Sequence, residues 1–400
     1  MKSLFRPVVI GILLLGFGIF PVHAAFNSLY VFGDALSTTT NNTGASSFPS
    51  DYYGQRYSNG RVWVEVLAQR QGVGISNNWS YFDCNSTNLV NNVKNFNITQ
   101  SAASNALFVV WVNNSDLFDA VMNAPNTNQS TWGPIINRGQ TNQFRAITNL
   151  YAKGVRTIIM PNAVDLGKVP YFYINIGNFS SIAPFVRQEC IAYNMAFSNT
   201  LNQARAACPG LKIYQPNFFG LLDNVVTNAA NYGLTNALQN GVSIDAMDAL
   251  YPACNTNGLG TNYIFWDYLD PSAKFHAVMA DVAQQLISPV QISGITLLNG
   301  SNRLDMVNVP VGLKGFVDGA TILIPANWAV VTNFTSTAVA QSIYVAPPVT
   351  ATNVGSAFSG GDNTITKSAD SGGSGLLGAP TPPYIMQYYR LRFPYAWNWP

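Results

Sequence analysis

The sequence offers few side chains for nucleophilic or acid–base chemistry. Its 2 imidazoles are those of His23 and His276. A serine hydroxyl becomes a useful nucleophile only when a neighbouring base, most often an imidazole, takes its proton. The carboxylates of Asp34, Asp267 and Asp270 offer a second chemistry, since clustered carboxylates can bind Ca²⁺ or act as an acid and base pair. Either chemistry needs a fold that brings distant segments together.

Short apolar runs alternate with amphipathic stretches and place these residues at the ends of elements. The apolar runs predict strands, two of them almost continuous, as in a sheet buried on both faces. Apolar residues at helical spacing predict helices. Asp270 precedes Pro271 and is therefore predicted to cap the last helix. The predicted strands cover 29–32, 106–112, 157–160 and 211–214, and the predicted helices cover 62–70, 142–153, 184–207 and 271–287.

The alternation of strands and helices predicts the fold class. Residues 25–288 are expected to form a three-layer α/β domain with a parallel sheet. Helical periods vanish after this point, and short β-rich runs separated by Gly, Asn and Pro follow. Residues 289–400 are therefore predicted to form a small all-β, sandwich-like domain. A stretch rich in Gly, Ser and Pro, at about 355–383, is predicted to be a long or disordered loop within it.

Residues 1–24 have the pattern of a secretory signal peptide. Lys2 and Arg6 precede an unbroken apolar run, and a small-residue cleavage motif ends at Ala24. The run is shorter than the roughly 20 residues that span a bilayer. We therefore expect a secreted protein, periplasmic or extracellular, with no integral membrane segment after cleavage. His276 would then be the one imidazole of the mature chain.

Composition limits the classes of partner and leaves the cysteines open. Charged residues make up 10% of the chain and the net charge is +2, so no basic surface for nucleic acid is expected. Cys190 and Cys208 bracket one predicted helix, which would separate them by roughly 27 Å, whereas a disulfide needs Cα atoms within about 7 Å. That pairing is disfavoured, and four buried thiols are the alternative to disulfides. The cysteines are Cys84, Cys190, Cys208 and Cys254.

Several segments resemble, in order, the sequence blocks of the SGNH/GDSL lipases and acylhydrolases. Gly33-Asp-Ala-Leu-Ser37 resembles the Gly-Asp-Ser-Leu block, and Trp111-Val-Asn-Asn-Ser-Asp116 resembles the Gly-x-Asn-Asp block. Asp267-Tyr-Leu-Asp-Pro-Ser272 resembles the terminal Asp-x-x-His-Pro-Thr block. Residues 160–170 and 218–234 are similar to family segments between these blocks. The resemblance implies the SGNH α/β sandwich and hydrolysis of carboxylic ester bonds without a cofactor.

The resemblance also places other residues where the family has its catalytic side chains. Ala35 stands at the position of the nucleophilic serine and Asp270 at that of the histidine. Asp267, which would orient that histidine, is retained. Ser115 stands at the asparagine of the oxyanion hole, and Asp83 at the glycine that supplies another donor. The pair that transfers the proton in the family is therefore missing.

These substitutions favour a non-catalytic relative that binds a small-molecule, polysaccharide or lipid ester. Members of a catalytic unit act together, so the loss of several leaves little activity to rescue. No metal or cofactor is expected on this interpretation. The residues expected to line the pocket are Asp34, Ala35, Asn113, Asn114, Ser115, Asp267 and Asp270.

Two alternatives stay open. An active ester hydrolase could use Ser37 or Ser115 with His276, with Asn114 supplying the amide donor of the oxyanion hole. Against this, a single helical histidine is more often structural. In the second alternative, clustered carboxylates would form a metal-binding or glycosidase-like site. The carboxylates of that cluster would be Asp34, Asp267 and Asp270, with Asp83 as a further candidate.

Overall fold

The structure is a computed structural model. It describes residues 26–40, 42, 51–123, 127–173, 179–239, 241–298, 300–321, 326, 328–346 and 388–393. The predicted signal peptide at 1–24 and the predicted loop at about 355–383 lie outside these ranges and stay predictions. All the segments that resemble ester-hydrolase blocks lie within them.

A five-stranded parallel sheet forms the centre of the first part of the chain, in the order β2-β1-β3-β4-β5. The predicted α/β class is thus confirmed. Strand β3 is buried along its whole length, as its continuous apolar sequence requires. It pairs with β1 from Leu29 opposite Leu107 to Gly33 opposite Trp111. The strands are β1 Leu29–Gly33, β2 Ile75–Asn78, β3 Leu107–Trp111, β4 Thr157–Ile159 and β5 Lys212–Tyr214.

Helices flank this sheet in two packed groups. Helix α1 packs against α9, while α2, α4 and α6 pack against the long helix α5. A hairpin of two short antiparallel strands follows α7 and precedes α8 in the sequence. Its strands are β6 Leu238–Gln239 and β7 Val242–Ser243. The helices are α1 Trp63–Gln71, α2 Ser86–Asn95, α3 Gln100–Ser104, α4 Asn113–Asn123, α5 Gln129–Ala152, α6 Ala183–Ala207, α7 Phe218–Thr227, α8 Ala246–Leu250 and α9 Ala273–Ile287.

The helix predicted at 142–153 is the second half of a longer helix. Helix α5 begins at Gln129 and contains Pro134 near its start. Glycines and a proline in the first half conceal its helical period in the sequence. Gly139 is needed there, because a Cβ atom at this position would lie 2.8 Å from Oδ2 of Asp116.

The second part of the chain is antiparallel β structure, as predicted. One three-stranded sheet has the order β11-β10-β13 and the other β12-β9-β8. Side chains from both sheets form a shared apolar core, namely Ile292, Leu304, Val317, Val345 and Tyr389. The domain boundary at 288–289 stays a prediction. The strands are β8 Gln291–Leu298, β9 Ser301–Val307, β10 Lys314–Ala320, β11 Ala329–Thr335, β12 Ala340–Val345 and β13 Tyr388–Arg392.

This β-rich part docks on the last turns of α1 and α9. The Nε atom of Arg70 lies 2.6 Å from Oδ1 of Asp281, in an ion pair whose two side chains are almost completely buried. The Arg70 guanidinium also donates to the carbonyl of Val311 at 3.0 Å. The last turn of α1 precedes β2, so this junction lies at the amino edge of the parallel sheet.

All four cysteines are free, buried thiols. Cys190 lies within α6, and Cys208 is the residue that ends this helix. The single helix predicted between them is thus confirmed. Burial raises the pKa of Cys84 to about 12, so its thiol stays protonated.

Candidate active site

The site begins where β1 ends. Gly33 is the last residue of this strand, and a Cβ atom there would lie 2.8 Å from Cβ of Ser37, so only glycine fits. Asp34 follows and caps a 3-10 helix, Ala35–Ser37, by accepting a 3.1 Å hydrogen bond from the amide of Leu36. Ala35 is therefore held at the carboxyl edge of the sheet, where α/β proteins place their sites.

The carboxyl of Asp34 is buried and faces the start of α4. Burial raises its pKa to about 7, although the hydrogen bonds from Leu36 and Asn114 oppose the shift. Nδ2 of Asn114 lies 3.5 Å from Oδ2 of Asp34, while Oδ1 of Asn114 accepts from the amide of Val164 at 3.0 Å. Asn114 therefore connects the ends of β1, β3 and β4.

Of the three polar residues at the start of α4, only Asn114 reaches Asp34. Asn113 is buried, donates to the carbonyl of Pro161 at 3.0 Å and accepts from Gln143 at 2.7 Å. Its amide therefore holds the fold together rather than facing a ligand. The half-buried Ser115 makes no hydrogen bond to another described residue.

Asp267 and Asp270 form a buried pair in the segment before α9. Oδ1 of Asp267 accepts from the backbone amides of Leu269 at 3.0 Å and Asp270 at 2.8 Å, and Oδ2 accepts from the hydroxyl of Tyr52 at 2.8 Å. Burial, and then the charge of Asp267, raise the pKa of Asp270 well above its usual range. Burial raises the pKa of Asp267 as well, but its hydrogen-bond donors oppose the shift, so Asp267 is the member that ionises first and Asp270 keeps its proton.

Asp34 belongs to the same group of carboxyls. Its charge adds to the raised pKa of Asp270, so the end of β1 and the segment before α9 lie within electrostatic range of each other. The prediction that Asp270 caps the last helix is wrong. Ser272 is the cap, with Oγ accepting from the amide of Phe275 at 3.3 Å. The Asp270 carboxyl instead pairs with Asp267.

Asp83 adopts a glycine-like backbone but does not join the three carboxyls. Its φ of 66° lies in the left-handed region, which glycine adopts far more readily than other residues. This agrees with its predicted place at a family glycine. Its side chain is exposed and interacts with Asp119 on α4.

Ser37 and His276 do not form a nucleophile and base pair. Ser37 is buried, and its Oγ accepts a 3.1 Å hydrogen bond from the indole of Trp63. His276 is fully buried in α9, and neither of its ring nitrogens has a hydrogen-bond partner among the described residues. Burial lowers its pKa to about 3, so the imidazole is neutral. Ser115 likewise receives no hydrogen bond from it.

Two residues near the carboxyl pair carried no signal in the sequence. Tyr52, the donor to Asp267, comes from a loop 215 residues earlier in the chain. Asp245 is buried at the start of α8 and its pKa is raised to about 7, first by burial and also by the charge of Asp267. Only the knowledge that these loops meet could have identified them.

The described ranges contain neither a metal-binding cluster nor a membrane-spanning helix. No group of three or more His, Cys, Asp or Glu within them could hold a metal ion. None of the described helices is long and apolar enough to cross a membrane.

The chain is similar to several known proteins. Two GDSL esterase/lipases of Arabidopsis thaliana are 24% and 22% identical to this chain over 271 residues, which is 62% of this chain and 75% of each relative. A solved lipase from a goat rumen metagenome is 11% identical, with a TM-score of 0.37 over 64% of this chain and 94% of that one. The family model of the GDSL-like Lipase/Acylhydrolase matches residues 29–283, well over half of the sequence. The chain therefore belongs to the GDSL-like lipase/acylhydrolase family, whose chemistry is ester hydrolysis.

Proposed function

We propose that this chain is a secreted, non-hydrolytic member of its family that binds a carbohydrate or lipid ester in the pocket between Asp34 and Asp270. The proposal rests on two groups, the methyl group of Ala35 at the end of β1 and the buried carboxyl of Asp270 before α9. The β-rich part would serve attachment or recognition.

The groups that ester cleavage needs for proton transfer are missing from this site. Ester cleavage by this family needs a hydroxyl to attack and a base to take its proton. Ala35 has no hydroxyl. Asp270 retains its own proton beside the charged Asp267, so it has no free base to offer at neutral pH. The hydroxyl and the base act together in catalysis, so the loss of both removes the whole proton-transfer pair.

The nearby hydroxyl and imidazole do not restore this unit. The Ser37 hydroxyl is buried and bonded to the indole of Trp63. The ring nitrogens of His276 have no hydrogen-bond partner among the described residues, and its side chain is fully buried. A serine without a base is close to inert toward esters.

The pocket nevertheless retains groups that suit ester binding. The amide of Asn114 supplies a donor at the carboxyl edge of the sheet. The protonated Asp270 adds a neutral polar group there, as a carboxylic acid kept neutral by burial does in other sites. A carbonyl compound could therefore be bound there without being cleaved.

A chromogenic short-chain ester tests the absence of hydrolysis. The purified protein and its His276→Ala variant are both expected to give no turnover above the rate in buffer. Turnover by the unmodified protein would contradict the proposal, and its disappearance in His276→Ala would identify an active serine and imidazole pair.

Restoring the missing groups tests whether the pocket is intact. The variant Ala35→Ser with Asp270→His is expected to gain ester hydrolysis, while Ala35→Ser alone, which lacks the imidazole, should stay inactive. Circular dichroism of both variants checks that they fold. A folded double variant that gains no activity would show that the pocket has lost the geometry for ester binding.

A further inference from the structure

A polar cavity of about 440 Å³ lies beside the site, between the starts of α2 and α5 and the second half of α4. Its volume falls within the roughly 300–1,000 Å³ of small-molecule sites. Six of its seven lining side chains are polar. The lining consists of Asn85, Thr87, Asn88, Asp119, Asn123, Ile135 and Arg138.

The cavity adjoins the proposed ester site through one short loop. Asn85 lines the cavity, and the amide of Tyr81, four residues earlier in the same loop, donates to the carbonyl of Gly33 at the end of β1 at 3.3 Å. Asp83, in the same loop, interacts with Asp119 on the cavity wall. A molecule bound near Asp34 could therefore extend around this loop into the cavity.

Some of the polar groups that line the cavity are already used by the fold. Asn85 accepts from the amides of Thr87 and Asn88 as the cap of α2, and its Nδ2 donates to Asp119 at 2.8 Å. Nδ2 of Asn123 donates to the carbonyl of Asp119 at 2.9 Å. These contacts fix the shape of the cavity.

Other groups have hydrogen-bonding capacity left over. Oδ1 of Asn88 accepts from the amide of Asn85 at 3.2 Å, while its Nδ2 has no partner among the described residues. The exposed Arg138 guanidinium makes no hydrogen bond or ion pair with any described residue, although it lies within electrostatic range of Asp116 and Asp119. Unsatisfied donors of this kind suit a ligand rich in oxygen atoms.

The balance of charge favours a neutral ligand. Asp119 and Arg138 carry opposite charges on one cavity wall, and the remaining polar groups are amides and a hydroxyl. Amides and hydroxyls both donate and accept, as the hydroxyl groups of a sugar do. Ile135 adds one apolar surface for the carbon face of a sugar ring.

We infer that this cavity is a subsite for a neutral carbohydrate, the sugar part of the ester bound next to it. The inference rests on the proposed function in joining the two sites, but sugar binding by the cavity can be measured separately. It narrows the ligand from carbohydrate or lipid esters to esters of neutral sugars.

The inference can be tested by ligand-observed NMR and calorimetry with four neutral disaccharides, namely cellobiose, maltose, xylobiose and chitobiose. At least one is expected to bind the full chain. Arg138→Gln should weaken that binding at least tenfold, while Arg145→Gln, at an exposed position farther along the same helix, should leave it unchanged. Failure of all four to bind, or equal binding by both variants, would overturn the inference.

A second pair of variants guards against indirect effects on α2. Asn88→Asp retains the oxygen that accepts from Asn85 but removes the free amide donor, and it should weaken sugar binding severalfold. Asn91→Asp makes the same change at an exposed position of the same helix and should have no effect. Binding of inorganic phosphate in competition with the sugar would instead assign Arg138 to an anion site and contradict the inference.

The outcomes separate this inference from the proposed function. If the unmodified protein hydrolyses a chromogenic ester, the proposed function fails, while sugar binding and its loss in Arg138→Gln still decide the inference. If the variant Ala35→Ser with Asp270→His gains activity but no sugar binds, only the inference fails.

Discussion

The hydroxyl of Tyr52 donates a 2.8 Å hydrogen bond to Oδ2 of Asp267. Two backbone amides donate to the other oxygen of the same carboxylate. Three donors stabilise the charge of Asp267, whereas the contacts of the Asp270 carboxyl with described residues all raise its pKa and so disfavour its ionisation. Tyr52 therefore helps to decide which of the two aspartates holds the proton.

Tyr52→Phe is expected to destabilise the protein by about 1–3 kcal/mol, because it leaves a buried, charged acceptor without one donor. The free energy of unfolding in urea measures the change. Tyr53→Phe removes a hydroxyl from the exposed neighbouring ring and should change it by less than about 0.5 kcal/mol. Equal effects of the two variants would show that the bond to Asp267 contributes little.

The buried carboxyls should make stability fall as the pH rises from about 4 through about 7. Burial raises the pKa of Asp34 to about 7 and that of Asp245 to about 7, and it also raises the pKa of Asp270 well above its usual range. Their neutral forms stabilise the fold fully below the unfolded pKa of about 4, and this stability is lost as the pH rises through the folded values. His276 has a lowered pKa and acts oppositely, but only below about 6.5.

Urea unfolding at pH 6.5 and 8 isolates the carboxyl effect. The free energy of unfolding should decrease, with a slope of up to about 1.4 kcal/mol per pH unit for each proton released. Asp245→Asn should flatten the profile, while Asp248→Asn, at an exposed position of the same helix, should not. A flat profile over this range would contradict the prediction, because it would mean that the carboxyls are already ionised in the folded protein at pH 6.5.

His276→Leu should leave the protein as stable or stabilise it by about 1 kcal/mol, because it removes buried polar atoms that have no partner. The variant should also lose less stability between pH 6.5 and 4, since no imidazole remains to be protonated on unfolding. Thermal unfolding at both pH values measures this. A loss of several kcal/mol would show that the imidazole has a polar partner.

Asp281→Ala is expected to cost about 3–5 kcal/mol, because it leaves the buried charge of Arg70 unpaired where the β-rich part docks. Asp305→Ala breaks a more exposed ion pair, with Arg303 on β9, and should cost about 0–1 kcal/mol. Urea unfolding compares them. Similar small costs would mean that water reaches Arg70.

Local sequence patterns could predict most of the sheet but not all of it. Strands β1, β3, β4 and β5 have apolar runs that mark them. Strand β2, Ile75–Asn78, has one apolar residue followed by Ser and two Asn, so no pattern of burial identifies it. Helix α2 has no clear apolar period for the same reason, because six of its ten residues are Ser, Thr or Asn.

The site could be predicted in part. The order of the family blocks indicated that Asp34, Asp267 and Asp270 belong to one pocket. The Asp270 carboxyl pairs with Asp267 instead of capping a helix. This pairing depends on burial and on the hydrogen bond that Tyr52 donates to Asp267. These are properties of packed loops and leave no periodic signal in the chain.

The β-rich part is fastened at the amino edge of the parallel sheet, whereas Ala35 and the carboxyls lie at the other edge. Changes at one edge can therefore accumulate without disturbing the other. If the β-rich part serves attachment, as proposed, the carboxyls would lie on the side of the protein away from the attached surface. Replacement of residues near them would then change ligand binding without changing attachment.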